Sequence, residues 1–568
     1  MSGTDSGFLA TLLPDRRLHL SLALLFGQVI VYTVLVHAAF PVLENRPLSW
    51  LEALFFVVET ITTVGYGEML PFTSQATVLL VMFIMVTGVF NVLMIVPVML
   101  APYIAALLQS MPPRRTPFEL EHHVVIIGYG ELTRALVESL MIIDVAVVIV
   151  EQDEKKARDV LRRYRRDLHV VWGDYNDPAT WSNAWVENAD NIIICEKERT
   201  TATIILGIRE KTAGRIIAVV DDLSFDRYLR YAGAEYVLSP KNSTGKILAR
   251  HAVLRPDVDT IYEAISLDRM KISKDSPASS LKLIKVPIME GCRSTGKSLA
   301  ELALFERYGI EVLFFWKAGS FVMHPSGSDT IDTSTMLFLL GRTNELNTAI
   351  ESEFRADVPG EPLAVIAGYG DVGRAAFREL TSSGITGVVI DKGEQDVAFV
   401  IGDAEKEPVL KEAHIEDARF LIVAVNDDNV NIFATLIARN LNPQLRILAR
   451  ANEPASIDKL YRAGADYVAL LPTIGGQVVA GIVLSDIVQV LLDLPNGQKV
   501  VMKHLMKGSA ATAGWIARKS GVRIIGIEGG GRSIIRPADG DRVEQGDAII
   551  AVGDIPALKR FIRLVSGG

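Results

Sequence analysis

Glu59-Thr60-Ile61-Thr62-Thr63-Val64-Gly65-Tyr66-Gly67-Glu68 stands between two long uncharged runs, and that placement decides the fold. The first run, Leu18 to Val36, and the second, Ala76 to Ile104, contain no Asp, Glu, Lys or Arg. About 20 such residues cross the hydrocarbon core of a bilayer as a helix. The second run exceeds that length, so it tilts or extends past the membrane. Between the runs, Leu48 to Val58 is apolar but too short to cross, which suits a re-entrant helix sheltered by protein or facing water. The expected order is an outer helix over 18–40, a short helix over 48–60, the glycine motif over 62–67 and an inner helix over 74–104. These runs explain how a chain of 568 residues with an ordinary 22% charged share reaches a mean hydropathy of +0.28.

Working outward, Arg16 and Arg17 precede the first run and Arg114 and Arg115 follow the second. The intervening loop has Arg46 against Glu44, Glu52, Glu59 and Glu68. That asymmetry predicts both termini on the cytoplasmic side of the cell membrane, with residues 1–17 as a cytoplasmic N-terminus. No A-x-A-like site follows the first run, so a cleaved signal peptide is not expected. Two helices cannot enclose an aqueous path, so any path must be built by several chains around an axis. A net charge of −9 gives no global field for nucleic acid. Two cysteines, Cys195 and Cys292, exclude a disulfide scaffold.

The string Thr62-Thr63-Val64-Gly65-Tyr66-Gly67, with a helix on each side and a re-entrant helix before it, is similar to the selectivity filter of potassium channels. The resemblance implies potassium ions coordinated at Thr63, Val64, Gly65 and Tyr66. The physical reason is dehydration: carbonyl oxygens from four chains replace the ion's water shell. Gly65 and Gly67 permit backbone angles that turn successive carbonyls inward. Val64 and Tyr66 are expected to point away and pack on the pore helix. Glu68 stands where the family more usually has Asp. Glu59 is either a buried carboxylate behind the filter or a pore-helix glutamate facing water. Gly88 is either the inner helix's bending point or a site of close helix packing. Pro97 is expected to kink that helix.

Past Pro112-Pro113, after a linker assigned to 105–120, the chain repeats itself. VVIIGYGELTRALVESL (124–140) answers LAVIAGYGDVGRAAFREL (363–380), and RYAGAEYVLSP (230–240) answers YRAGADYVALLP (461–472). Apolar runs at 124–127, 145–150, 192–194 and 216–220 alternate with helical segments, the pattern of a doubly wound parallel sheet. Each copy resembles the RCK (regulator of K⁺ conductance) domain. The fold class is therefore an α-helical membrane pore followed by two α/β Rossmann-like RCK domains, each with a small α+β C-terminal lobe. Boundaries are set at 121–350 (N-lobe 121–255, C-lobe 256–350) and 360–568 (N-lobe 360–490, C-lobe 491–568). The family implies a homotetramer whose eight RCK domains form a gating ring under the pore.

The second copy carries a full dinucleotide fingerprint: a strand at 363–367, then Gly368, Tyr369, Gly370, Asp371, Val372 and Gly373, then Asp391. Such glycines let backbone approach a pyrophosphate at a helix N-terminus, and Asp391 would accept from a ribose diol. Resemblance to nucleotide-binding RCK domains adds Asp403 and Arg450, and implies NAD or an adenine nucleotide as regulatory ligand. The first copy keeps Gly128, Gly130, Glu151 and Asp174 but has Thr133 in the third glycine's place, which is expected to hold the helix off the strand. The interval from Asp391 to Gly402 is half that from Glu151 to Gly173, so a helix is shortened there and the adenine side is more open.

Glu196, Glu198, Asp221 and Asp222 lie where some RCK domains bind calcium, with solvated loop acids as the alternative. His122-His123 reads as a strand start rather than a zinc site, and Trp181 with Trp185 as one buried helix face. The function so read is a potassium channel gated by intracellular ligands and not an enzyme. The rivals are a membrane-anchored NAD-dependent oxidoreductase and a regulatory subunit of a separate potassium transporter.

Overall fold

The computed structural model describes residues 16–164, 168–252, 281–288, 291–317, 320–333, 335–355, 362–393, 397, 399–485, 487–494, 496–506 and 511–566. It divides into two compact units, Met1–Pro112 and Pro113–Gly568.

In the first unit the outer helix spans Arg16–Leu43, the pore helix Trp50–Ile61 and the inner helix Gln75–Ser110. Ala23–Leu43 is long and apolar enough to cross a membrane. The pore helix starts at a capping box: Ser49 accepts from the Glu52 amide while the Glu52 carboxylate accepts from the Ser49 amide. Glu44 ties down the turn that leads into the inner helix, accepting from the Thr73 and Ser74 amides at 2.8 and 3.0 Å and from the Thr73 hydroxyl at 2.6 Å. These bonds, led by that of the Thr73 hydroxyl, hold its carboxyl down at about 2. Val36, Phe40, Ala53, Phe56, Val57, Ile61 and Ile84 form the unit's core. Leu24, Phe26, Ile30, Phe83, Val86 and Phe90 are exposed, which suits an apolar surround. The inner helix runs into the stretch assigned as linker, because Ala105-Ala106-Leu107-Leu108-Gln109 are strong helix formers and no proline follows Pro102 until Pro112.

The second unit holds both copies. In the first, β1 (His123–Ile127), β2 (Val147–Glu151), β3 (His169–Trp172), β4 (Ala189–Ile194), β5 (Arg215–Val219) and β6 (Tyr236–Leu238) form an all-parallel sheet in the order 3-2-1-4-5-6. Strands β1 and β2 are buried throughout, as a sheet covered by helices on both faces requires. The C-lobe pairs β7 (Leu281–Pro287), β8 (Glu311–Lys317), β9 (Ser320–Val322) and β10 (Thr335–Arg342) in an antiparallel sheet. The boundary expected at 255–256 lies outside the described residues.

The second copy repeats the N-lobe order with β11 (Leu363–Ala367), β12 (Thr386–Asp391), β13 (Phe399–Ile401), β14 (Phe420–Val423), β15 (Arg446–Ala451) and β16 (Tyr467–Leu470). Residues 392–398 alone join β12 to β13, where the first copy has the helix Glu154–Tyr164 between β2 and β3. Its C-lobe contains β17 (Gln489–Asp493), β18 (Lys499–His504), β19 (Ala511–Thr512), β20 (Arg523–Gly529), β21 (Arg532–Ile535), β22 (Arg542–Val543) and β23 (Ala548–Gly553). The boundary expected at 490–491 therefore cuts a strand; the join falls between Leu484 and Gln489.

The copies are locked together about a local pseudo-twofold. Helix Pro240–Ala252 of the first crosses the motif helix Asp371–Ser382 of the second, and helix Leu471–Leu484 crosses the motif helix Glu131–Leu140. Glycine makes both crossings possible. A Cβ on Gly245 would sit 2.2 Å from the Val372 carbonyl, and one on Gly476 would sit 2.7 Å from the Leu136 amide. The C-lobes share one core, with Leu283, Phe314 and Leu340 packed among Val500, Ile525 and Ile550.

One local expectation fails here. Trp181 is buried in the helix Pro178–Asn183, but Trp185 lies beyond that helix in a left-handed conformation at φ 53°, its indole donating to Thr116 at 3.0 Å. The i, i+4 spacing assumed a helix that ends too early to carry both.

Candidate functional site

The pore helix ends directly in the glycine motif. The Glu59 carbonyl accepts from the Val64 amide at 3.0 Å, and the Thr62 hydroxyl donates to the Val58 carbonyl at 2.7 Å. Thr63, Gly65 and Gly67 then take φ of 62°, 53° and 79°, while Val64 and Tyr66 do not. Left-handed backbone at every second residue turns carbonyls that would alternate in a strand toward one side. Glycine takes this conformation freely, whereas a residue with a Cβ is disfavoured by roughly 1–2 kcal/mol. Tyr66 stacks on Phe55 of the pore helix, rings 6.4 Å apart and nearly parallel. Glu59 is buried at 6% exposure, with Oε2 unpartnered. The geometry thus favours the buried carboxylate over the water-facing one. Gly88 meets the pore helix: a Cβ there would lie 2.6 Å from Ile61 Cγ1, so close packing alone accounts for the glycine. Pro97 falls within the inner helix, in a stretch whose side chains lie outside the described residues.

The two glycine loops share one backbone plan. In each, the acid ending the second strand holds the loop's tyrosine amide: Glu151 Oε2 to Tyr129 N at 2.8 Å, Asp391 Oδ2 to Tyr369 N at 2.7 Å. Their surroundings differ in sign. Beside Gly128 stands Glu196, its Oε1 only 2.7 Å from where a Cβ would begin, accepting from the Tyr175 hydroxyl at 3.1 Å. Burial, reinforced by Glu151, raises the Glu196 carboxyl above its ordinary value. Beside Gly368 the corresponding residue is Val425. At the end of the fifth strand, Val219 pairs with Leu238 in the first copy and Arg450 with Ala469 in the second.

Arg450 is 6% exposed, and its guanidinium donates to the amide oxygens of Asn426 (2.9 Å) and Asn452 (2.7 and 3.0 Å). A buried cation held by neutral oxygens is costly until an anion joins it, and burial lowers its pKa. Asp403 pairs with Lys392 through Oδ2 at 3.1 Å, and its buried Oδ1 has no partner. Asp174 instead serves its own turn, accepting from the Asn176 amide at 2.9 Å.

The third glycine position behaves as its chemistry demands. A Cβ on Gly373 would sit 1.9 Å from the Gly368 carbonyl. In the first copy Thr133, 1% exposed, donates its hydroxyl to the matching carbonyl of Gly128 at 2.9 Å. The hydroxyl occupies the gap that a glycine closes.

The four calcium candidates are not gathered. Glu196 turns to Tyr175; Glu198 accepts from the Asp221 and Asp222 amides at 3.0 and 2.9 Å; Asp222 caps a turn through Ser224; and Asp221 pairs with Lys241 at 3.2 Å. Among the described residues no group of three or more His, Cys, Asp or Glu is arranged to hold a metal ion. The sequence placed these acids near one another but could not show that backbone amides and a lysine already engage them. His122 pairs with Asp190 and His123 with the Ala184 carbonyl.

A helical pore unit with a glycine filter motif, followed by two Rossmann-like N-lobes, defines an ion channel with paired regulatory domains. The ion-channel family profile matches residues 18–103, and the TrkA-N domain profile matches 124–240 and again 364–471. The chain belongs to this family of channels with TrkA-N (RCK) domains, and it is a homologue of potassium channels. Potassium channel protein 1 of Methanocaldococcus jannaschii is 31% identical over 221 residues, covering 36% of this chain and 66% of that one. The solved GsuK channel is 26% identical with a TM-score of 0.57, covering 99% of this chain and 100% of its own. A second GsuK structure, bound to NAD, gives 26% and 0.56. The TrkA potassium-uptake protein of Vibrio alginolyticus is 20% identical over 77% of this chain and 98% of its own length. These relatives are channels and potassium-uptake proteins, which removes the oxidoreductase reading.

Proposed function

We propose that four copies of the chain surround an axis and conduct potassium, with NAD or an adenine nucleotide bound in the second copy setting the open probability. Carbonyls of Thr63, Val64, Gly65 and Tyr66 replace the ion's hydration shell, the Thr63 hydroxyl adds an inner ring, and both termini lie on the cytoplasmic side. The observation that carries conduction is the alternating left-handed backbone at Thr63, Gly65 and Gly67. The buried Arg450 guanidinium carries the nucleotide assignment, together with Asp391 at the loop and Asp403 beside it. The NAD-bound GsuK channel, alike over the whole chain, supports the same ligand class. The first copy's loop is stoppered by Glu196, so a pyrophosphate there would meet a carboxylate. The ligand biases the gate by its difference in affinity between two arrangements of the RCK domains.

Flux into reconstituted vesicles tests conduction. The chain should pass potassium and exclude sodium, and Gly65→Ala should lose potassium flux or its selectivity by roughly a hundredfold, because alanine disfavours that φ in all four chains. Equal sodium and potassium flux through the unaltered protein would contradict the reading.

A further inference from the structure

Lys241 opens the helix Pro240–Ala252 of the first copy, yet its ammonium faces the second copy's glycine motif. It lies 3.2 Å from Asp221 of its own copy and 3.5 Å from Asp371, the first helical residue after Gly370. Its side chain is 25% exposed, so it is reachable but not freely solvated. The crossing of this helix over Asp371–Ser382 is fixed by Gly245 against Val372 and Ala375, which keeps Lys241 beside the loop. Arg450 feels Asp428 most and, after it, the same two carboxylates, Asp371 and Asp221. Asp371 and Asp221 thus act on two cations, and the two come from different copies. The pseudo-symmetric position opposite the first loop is Pro472, which has no charge, and Glu131 there pairs with its own Arg134 at 2.8 Å.

Charge balance gives this arrangement a purpose. A nucleotide pyrophosphate at the N-terminus of the helix Asp371–Ser382 brings negative charge next to Asp371, which helix amides alone do not offset. We propose that Lys241 of the first copy is a phosphate-binding residue of the second copy's nucleotide site, exchanging its contact with Asp221 for the ligand's phosphate. The site is then shared between the copies, and occupancy strengthens the contact between them while releasing Asp221. The inference rests on the nucleotide reading above, and its test separates the two.

Calorimetric titration of the full-length channel in detergent, with ADP, NAD and adenosine as probes, reads the contribution directly. Lys241→Gln should weaken ADP and NAD about tenfold, the scale of one charge-assisted hydrogen bond. It should leave adenosine, which has no phosphate, unchanged, and Lys241→Arg should restore most of the loss. A merely structural lysine would shift all three probes alike, and that result overturns the proposal. Unchanged ADP affinity in Lys241→Gln, with binding lost in Arg450→Gln, would reject Lys241 while keeping the site. No binding of ADP or NAD to the unaltered channel would reject both.

Discussion

The first and second copies have the same strand order, the same loop backbone and the same acid at the end of the second strand, yet opposite charge where a phosphate would lie. In the first, Glu196 fills the space beside Gly128 and Val219 offers nothing to an anion. In the second, Val425 leaves that space neutral and Arg450 waits buried on amide oxygens. Duplication preserved the scaffold, while two side-chain positions give the two loops opposite charge. A glycine fingerprint reports backbone geometry; the residues that close over it report charge.

Several substitutions break or sharpen this contrast. The largest effect is expected from Arg450→Gln, which removes the buried cation and should weaken NAD binding about a hundredfold; unaltered affinity would erase the distinction between the copies. Next, Gly373→Ala forces a Cβ against the Gly368 carbonyl. It should cost about 1–3 kcal/mol of stability along with nucleotide affinity, whereas Thr133→Ala, which loses one hydroxyl bond, should cost about 1 kcal/mol. Thermal unfolding with and without NAD checks both. A gain of function comes third: Glu196→Val with Val219→Arg gives the first copy the second's charges, and calorimetry should then find a second, weaker nucleotide per chain.

The smallest effect is a pH dependence. The Glu196 carboxyl titrates higher in the folded chain than in the unfolded one. Its contribution to stability is therefore full below the ordinary value of 4.5 and is lost as pH rises through the elevated folded value. Glu196→Gln mimics the protonated state. It should raise the unfolding temperature at neutral pH by on the order of 1–2 °C, with the difference closing toward pH 4; a constant offset at every pH would show that the carboxyl's proton is not involved.

Much of this was legible in the sequence. The filter string, the uncharged runs around it and the paired GYG motifs place pore and copies, because each is a local pattern with one backbone solution. The strand expected at 363–367 is β11. The short connection between β12 and β13 followed from spacing alone. What the sequence hid depends on contacts between distant segments. Glu196 read as a possible metal ligand because its 2.7 Å approach to Gly128 exists only once β4 lies beside β1. Aligning the copies at the ends of their fourth and fifth strands, Glu196 against Val425 and Val219 against Arg450, was the available signal. Lys241 gave none, since its partner Asp371 is 130 positions away across a pseudo-twofold. Trp185 was misplaced because the helix that carries Trp181 ends at Asn183, before Trp185 is reached.

Single-channel recording in a planar bilayer, with potassium opposing sodium and NAD added to the cytoplasmic face, bears most directly on the whole account. Potassium-selective openings whose probability changes on adding NAD, with unitary conductance unaltered, are the predicted result. Openings that do not distinguish the two cations, or that are indifferent to NAD and adenine nucleotides at any concentration, would contradict it.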